Sequence, residues 1–168
     1  MENLCYICTH SEKNGQMVKF IGEYSGKVDD KGRVVFPAAF KSLMNTGEDS
    51  DMRFVIRKDI FADCLEMYPY AEWERLSEQI DGRLDIFNEE HAMFRRQFMR
   101  HRDIVSPDGK LGRILISRQL LESIGVTREV VFSGNDNKIE LWAKEKYEAQ
   151  ELSQEQFVAI ARQLSRQK

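Results

Sequence analysis

Two arginines, each directly preceded by glycine, occupy matching places in the sequence. The two arginines belong to two copies of one sequence motif, from Asp29 to Pro37 and from Asp108 to Ser117. Arg33 and Arg113 are separated by 80 residues. Glycine tolerates positive φ and so lets the chain reverse tightly. A guanidinium offers planar, paired donors that fit a phosphate or the O6/N7 edge of guanine. A turn of this kind, written twice, is typical of a protein that recognises something large, anionic and repetitive.

An acidic residue accompanies each arginine, but the two spacings differ. Asp29 precedes Arg33 by four residues, so its carboxylate can hold the guanidinium in one rotamer and lower the entropy cost of binding. In the second copy Gly109 takes that position and Asp108 lies one residue earlier, five before Arg113. Either the second loop has one extra residue or its acid is displaced. We therefore expect the first turn to be the better ordered of the two.

The predicted nucleic-acid contacts combine the two arginines with neighbouring lysines and the turn glycines. Lysines suit phosphate contacts, which position a protein without reading sequence. The simpler interpretation of one copy is a solvated hairpin tip, but two copies followed by the same strand and helix favour a binding function. The predicted contact set is Arg33, Arg113, Lys31, Lys110, Lys27, Gly32 and Gly112, with Asp29 and Asp108 as the residues that orient the arginines.

Composition narrows the class of protein. The 168 residues are enough for one domain, and 25 basic against 28 acidic side chains give a net charge of −3. Nucleic-acid binding therefore requires a local basic patch on an acidic protein. No apolar run approaches the roughly 18 residues of a membrane span, and no signal-peptide pattern is present. Three cysteines argue against a disulfide framework, so we expect a cytoplasmic, reduced protein.

No enzyme, metal or cofactor is predicted. The motif Cys5-x-x-Cys8-x-His10 has no second Cys/His cluster to complete a zinc site. No Ser, Cys or His stands in a recognisable nucleophile–base arrangement, and the carboxylates are scattered. The first 16 residues are instead expected to be a disordered or dispensable extension.

Hydrophobic periodicity predicts an α+β domain built from two similar halves. In each half a hairpin carrying the Gly-Arg turn precedes a short helix, two further strands and another helix. The predicted later strands are 53–57, 64–68, 129–133 and 138–142, followed by helices 70–80 and 144–150. A helix over 88–101 links the halves, and a capped helix over 153–166 carries an apolar stripe that must pack on this subunit or a neighbour.

Both motifs, the linker between them and residues 137–142 resemble the MraZ family of bacterial transcriptional regulators, from about Met17 to the C-terminus. The resemblance implies two SpoVT-AbrB-type halves, that is, duplicated swapped-hairpin β-barrels with helices bridging the halves and at the C-terminus. It also implies an Asp-x-x-x-Arg motif in each turn that enters DNA. The implied function is sequence-specific binding of double-stranded DNA at repeated promoter boxes, usually as a repressor of the division and cell-wall gene cluster, including the regulator's own gene. A ring-shaped homo-oligomer, octamer or dodecamer, associated with the nucleoid is implied as well.

The expected domain organisation has five parts. They are the extension 1–16, a first half 17–82, a bridging helix 83–102, a second half 103–150 and a C-terminal helix 151–168. A second class of function stays open. The same fold serves antitoxin-like or scaffold modules that act mainly through a protein partner, and the apolar C-terminal helix is a candidate docking element for one.

Overall fold

The computed structural model describes residues 17–44, 47 and 50–167. The predicted extension 1–16, with its Cys5-x-x-Cys8-x-His10 motif, lies outside these residues. The first half contains β1 (Glu23–Lys27), β2 (Arg33–Val35), α1 (Ala38–Met44), β3 (Phe54–Lys58), β4 (Cys64–Pro69) and α2 (Tyr70–Asp81). Helix α3 (Glu89–Phe98) follows. The second half contains β5 (Asp103–Val105), β6 (Arg113–Leu115), α4 (Arg118–Ser123), β7 (Glu129–Asn135), β8 (Lys138–Ala143) and α5 (Lys144–Ala149), and α6 (Gln154–Ser165) ends the described chain.

The two halves exchange strands. One antiparallel sheet has the order β1-β7-β8-β4-β3-β5, and a second consists of β2 and β6 alone. Strand β1 of the first half pairs with β7 of the second, and β5 of the second half pairs with β3 of the first. Because each half completes the sheet of the other, the halves cannot separate without breaking backbone ladders.

The α+β class is confirmed, but the duplicated swapped-hairpin β-barrel halves implied by the family resemblance are not confirmed, since the described strands form an open six-stranded sheet and a two-stranded ribbon. Each half gives its first strand to its counterpart, so neither half closes on itself. Strands β1 and β5 lie at opposite ends of the six-stranded sheet. The short strands β2 and β6 pair only with each other and form a separate ribbon.

Local signals in the sequence account for several element ends. Ser117 caps α4 by accepting a hydrogen bond from the backbone N–H of Leu120, and Gly125 follows that helix with φ +69°. Ser153 and Gln156 form a capping box at the start of α6. The capping box agrees with the capped helix expected over 153–166. The hairpin between β7 and β8 turns through Asp136, whose φ of +54° is one that Asp adopts more readily than most residues.

The six-stranded sheet buries side chains on both faces. One face packs against the ribbon, α1 and α4, with a core that includes Phe20, Phe36, Phe40, Ile114, Leu120 and Phe132. On the other face, Trp73 of α2 stacks on Phe98 of α3 with ring centroids 5.9 Å apart, over Val55 and Tyr68. Helix α3 thus covers the first-half strands as well as linking the two halves.

A buried ion pair joins the halves on this second face. Lys138 of β8 donates to Glu66 of β4 over 2.5 Å, and Tyr68 also donates to that carboxylate over 3.2 Å. Burial raises the pKa of Glu66, while the hydrogen bond from Lys138 opposes the rise. Burial alone lowers the pKa of Lys138, but the carboxylate of Glu66 outweighs it and the pKa is raised. The charged form of each side chain is therefore stabilised by the charge of the other.

Replacing Lys138 with methionine is expected to lower the free energy of unfolding by about 3 kcal/mol near neutral pH, because Glu66 stays buried without its main partner. Loss of Lys138 raises the folded-state pKa of Glu66 further above its unfolded value, so the variant loses stability as pH rises. Urea unfolding at about pH 5 and about pH 8 should show the larger deficit at the higher pH. Lys144→Met removes an exposed ion pair with Glu129 and should lower the free energy of unfolding by less than ~1 kcal/mol at both pH values. Equal costs for the two variants would contradict the argument.

Candidate nucleic-acid interface

The first Gly-Arg turn connects β1 to β2 and is closed by hydrogen bonds. The backbone N–H of Asp29 donates to the carbonyl of Arg33 over 2.9 Å, and that of Gly32 donates to the carbonyl of Asp29 over 3.0 Å. Gly32 has φ +84°, in the region that a side chain would strain. The chain therefore reverses within three residues and starts β2 at Arg33.

The carboxylate of Asp29 organises this turn. Its Oδ1 accepts the backbone N–H groups of Lys31 and Arg33, each over 2.9 Å, and its Oδ2 accepts Nε of Arg33 over 2.8 Å. The backbone N–H of Arg33, together with its guanidinium, holds the pKa of Asp29 below its ordinary value. Both side chains are 37% exposed, so the arginine is held in one place while part of it still faces solvent.

The two arginines lie on one face of the β2–β6 ribbon. In its register Arg33 pairs with Leu115 and Val35 with Arg113, while the central pair Val34–Ile114 points inward and is buried. Since alternate residues share a face, the outer face of the ribbon carries both arginines with Val35 and Leu115 between them, 53% and 60% exposed. Strand spacings put the Cα atoms of the two arginines about 8 Å apart.

The second turn is one residue longer than the first. Asp108 and Arg113 form an isolated bridge, with each backbone N–H donating to the other's carbonyl over 3.0 Å, and four residues lie between them. Among the described residues no hydrogen bond or ion pair joins the side chains of Asp108 and Arg113. Of the two sequence-based alternatives, the extra loop residue is the one seen. Arg113 therefore lacks the carboxylate support that Asp29 gives Arg33.

Each turn is anchored to the opposite half of the chain. The carbonyl of Gly32 accepts the backbone N–H of Ile116, and the carbonyl of Gly112 accepts that of Phe36, both over 2.9 Å. A Cβ on Gly32 would lie 2.5 Å from the carbonyl oxygen of Ile116. The ribbon therefore holds the two turns in a fixed relation, which the sequence repeat alone could not show.

The predicted lysines lie beside these turns. Lys27 ends β1, Lys31 lies at the tip of the first turn and Lys110 in the second, and all three are exposed.

Three cations near the turns were missed by sequence reasoning. Lys41 of α1 reaches over the second turn, with its Nζ 3.3 Å from where a Cβ on Gly112 would be. Arg118 and Arg128 line a depression beside the first turn. The repeat offered no signal for them, because position 41 corresponds to a leucine in the second half and the other two come from the opposite half.

Comparison with known proteins gives the family. The family model described as "MraZ protein", a description that also names an antitoxin-like character, matches residues 19–97 and 98–167 as two repeats. The chain belongs to the MraZ family. A relative from Bacteroides thetaiotaomicron, named transcriptional regulator MraZ, is 37% identical over 88% of this chain and 93% of its own length. A protein of the same name from Bacteroides fragilis is 41% identical over 79% of this chain and 82% of its own length. Another from Clostridium acetobutylicum is 33% identical over 87% of this chain and 96% of its own length.

Across residues 17–44, 47 and 50–167, every helix is too short or too polar to span a membrane.

Proposed function

We propose that this chain is a sequence-specific, DNA-binding regulator of transcription. The observation that carries the proposal is the placement of Arg33 and Arg113 on one exposed face of a ribbon built by both halves. A spacing of about 8 Å corresponds to roughly two base-pair steps, so both guanidinium groups can reach guanine edges in one major groove. The relatives are named as transcriptional regulators, not as enzymes, which supports the same function.

Lysines and glycines complete the proposed contact. Lys27, Lys31 and Lys110 supply charges for phosphate oxygens on either side of the arginines. Gly32 and Gly112 allow the backbone of each turn to come close to the groove, because they add no side chain. With a net charge of −3 the rest of the surface repels DNA, so the approach is limited to this local basic face.

The finer features implied by the family resemblance belong to this proposal. We propose that the exchanged strands are the swapped-hairpin arrangement of SpoVT-AbrB-type halves. We also propose that subunits close into a ring, octameric or dodecameric, in the cytoplasm and on the nucleoid. Adjacent subunits would then bind repeated boxes upstream of the division and cell-wall genes and of this chain's own gene, acting as a repressor. Effective concentration makes each further box bind more readily than the first.

A titration against DNA from upstream of the protein's own gene tests the proposal. The full chain is mixed with this fragment and with a shuffled fragment of the same composition, at two salt concentrations. We expect tighter binding to the native fragment and a steep loss of affinity with salt, since phosphate contacts release counterions. Equal affinity for the two fragments would contradict sequence-specific binding.

The two acidic residues of the turns provide a matched pair of variants. Asp29→Ala frees the Arg33 guanidinium and removes the carboxylate that accepts the backbone N–H groups of Lys31 and Arg33, so DNA affinity should fall about threefold to tenfold, or ~1 kcal/mol. Asp108→Ala removes the same charge but leaves the backbone hydrogen bonds to Arg113 in place, since no described contact joins the two side chains, and affinity should stay level or rise slightly. Fluorescence anisotropy with labelled promoter DNA measures both. A larger loss in Asp108→Ala than in Asp29→Ala would rule out the proposed role of Asp29.

An antitoxin-like or scaffold function is the second candidate, and α6 favours it. This helix leaves Phe157, Ile160 and Leu164 exposed along one face, at 60%, 46% and 63%. A protein partner could cover that stripe. Purification of the native chain from its own cells distinguishes the two functions: an unrelated protein in constant stoichiometry supports the second, while the chain alone, still able to bind its promoter, supports the first.

A further inference from the structure

A groove on the surface lies where α3, the end of β3 and α4 meet. It has a volume of about 460 Å³, within the range of small-molecule sites. Its lining combines buried side chains, among them Arg57, Phe98 and Leu120, with the half-exposed ring of Phe94. It is separate from the outer face of the ribbon. Its apolar surface suits the body of a small ligand.

The Arg57 side chain is buried without enough partners. Only 6% of the residue is exposed, and its guanidinium carbon lies 3.8 Å from the centre of the Phe98 ring. The nearest carboxylate oxygen, on Glu66, is 3.8 Å from the guanidinium, while the same carboxylate holds Lys138 at 2.5 Å. Nε of Arg57 is buried and has no hydrogen-bond partner. A buried arginine with an unused N–H is a group that an anion would stabilise.

Other charges on the groove are also mainly positive. Arg57, Lys58 and Arg100 line it against the single acid Asp59. Lys58 is already paired with Asp63 over 3.2 Å, but Arg100 makes no ion pair with any residue that the structure describes. The groove therefore has a cationic excess beside aromatic rings.

The rim is held in an unusual backbone conformation. His101 has φ +51°, a left-handed value that costs energy for a residue other than glycine. Its ring nitrogen lies 3.0 Å from the side-chain amide of Gln119 in α4. This contact joins the segment that follows α3 to α4 of the second half at the rim of the groove.

We propose that this groove binds a small amphipathic anion. Its apolar body would pack on Phe94 and Phe98, and its carboxylate, sulfonate or phosphate group would lie against Arg57, with Arg100 adding attraction from the rim. The apolar rings alone would accept an uncharged ligand, so the charge of the ligand is what the proposal specifies.

A pair of fluorescent probes tests that charge requirement. The probes are 8-anilinonaphthalene-1-sulfonate and N-phenyl-1-naphthylamine, which share the same phenyl-naphthylamine body and differ by the sulfonate. We expect the sulfonate probe to bind the full-length protein at one saturable site per chain and the uncharged probe to bind about tenfold more weakly, because a charge-assisted contact is lost. Equal affinities, or many unsaturable sites, would overturn the proposal.

Three variants locate the site. Gln97→Trp fills the groove from its exposed rim and should abolish sulfonate binding, while Ala92→Trp adds the same ring to α3 outside the groove and should bind like wild type. Arg57→Met removes the guanidinium and should equalise the two probes. If Arg57→Met does not fold, Gln97→Trp still shows whether the sulfonate probe binds in this groove. Unchanged sulfonate binding in Gln97→Trp would overturn the proposal. A changed oligomer mass in Gln97→Trp would also overturn it, because the groove would then be a contact between subunits.

Discussion

Replacing both Arg33 and Arg113 with alanine is expected to abolish binding to promoter DNA. An arginine that reads guanine with two hydrogen bonds contributes ~1–3 kcal/mol, so the double variant should lose roughly 30-fold to 10⁴-fold in affinity per chain. An assembly that uses several chains on repeated boxes multiplies that loss. Arg33→Ala alone should be the more damaging single change if its preorganisation by Asp29 contributes to affinity.

A charge-matched control separates base reading from general attraction. Arg83→Ala/Arg96→Ala removes the same two charges from exposed positions on the α2–α3 side of the molecule. We expect a small decrease in affinity for this variant, equal on native and shuffled DNA. Circular dichroism and oligomer mass show whether all proteins remain folded and assembled. Wild-type binding by a folded Arg33→Ala/Arg113→Ala protein would refute the proposed interface.

Gly32→Ala is expected to lower the free energy of unfolding by about 3–5 kcal/mol. A left-handed φ costs a residue with a side chain ~1–2 kcal/mol. The new methyl group would also lie 2.5 Å from the carbonyl oxygen of Ile116, which belongs to backbone and cannot swing away. Relief of that clash requires the ribbon to shift and threatens the hydrogen bond from Ile116 to Gly32.

Gly109→Ala is the control for backbone conformation alone. Gly109 has φ +68°, but a Cβ there would meet nothing within 4 Å, so we expect a loss of only about 1 kcal/mol. Urea unfolding followed by tryptophan fluorescence measures both variants. Trp73 and Trp142 are each 6% exposed, so both rings become exposed to solvent when the protein unfolds. Similar losses of unfolding free energy in Gly32→Ala and Gly109→Ala would mean that the clash with the carbonyl oxygen of Ile116 does not determine stability.

Local features of this chain were predictable because their causes lie within a few residues. The Asp29–Arg33 hydrogen bonds follow from a four-residue spacing across a glycine turn. The capping box at Ser153 and the glycine after α4 likewise depend on short-range contacts. The four later strands, predicted at 53–57, 64–68, 129–133 and 138–142, came within two residues of those observed. The predicted hairpin of each half was wrong, because β1 pairs with β7 and β5 with β3, while β2 and β6 pair with each other. Whether the turns bind DNA remains a prediction.

The exchange of strands between halves was decided by tertiary structure. The pairings Glu23–Ser133 and Lys27–Glu129 join residues more than a hundred positions apart, and β-propensity does not specify which partner a strand takes. Instead of the expected swapped-hairpin barrel halves, the described strands form one open sheet and a ribbon. The unpaired Nε of Arg57 and its groove could not be foreseen either, since they result from the packing of α3 against β3.

The sequence by itself determined the repeat, the turn chemistry and the ends of most elements, because glycine conformation, capping and alternation act over short distances. Only the folded chain decided that Arg33 and Arg113 would share a face of one ribbon. That relation depends on β2 pairing with β6 and on the crossed hydrogen bonds from Ile116 and Phe36 to the turn glycines. Pairing across such sequence distances is set by the burial of Val34 against Ile114, which no local pattern encodes.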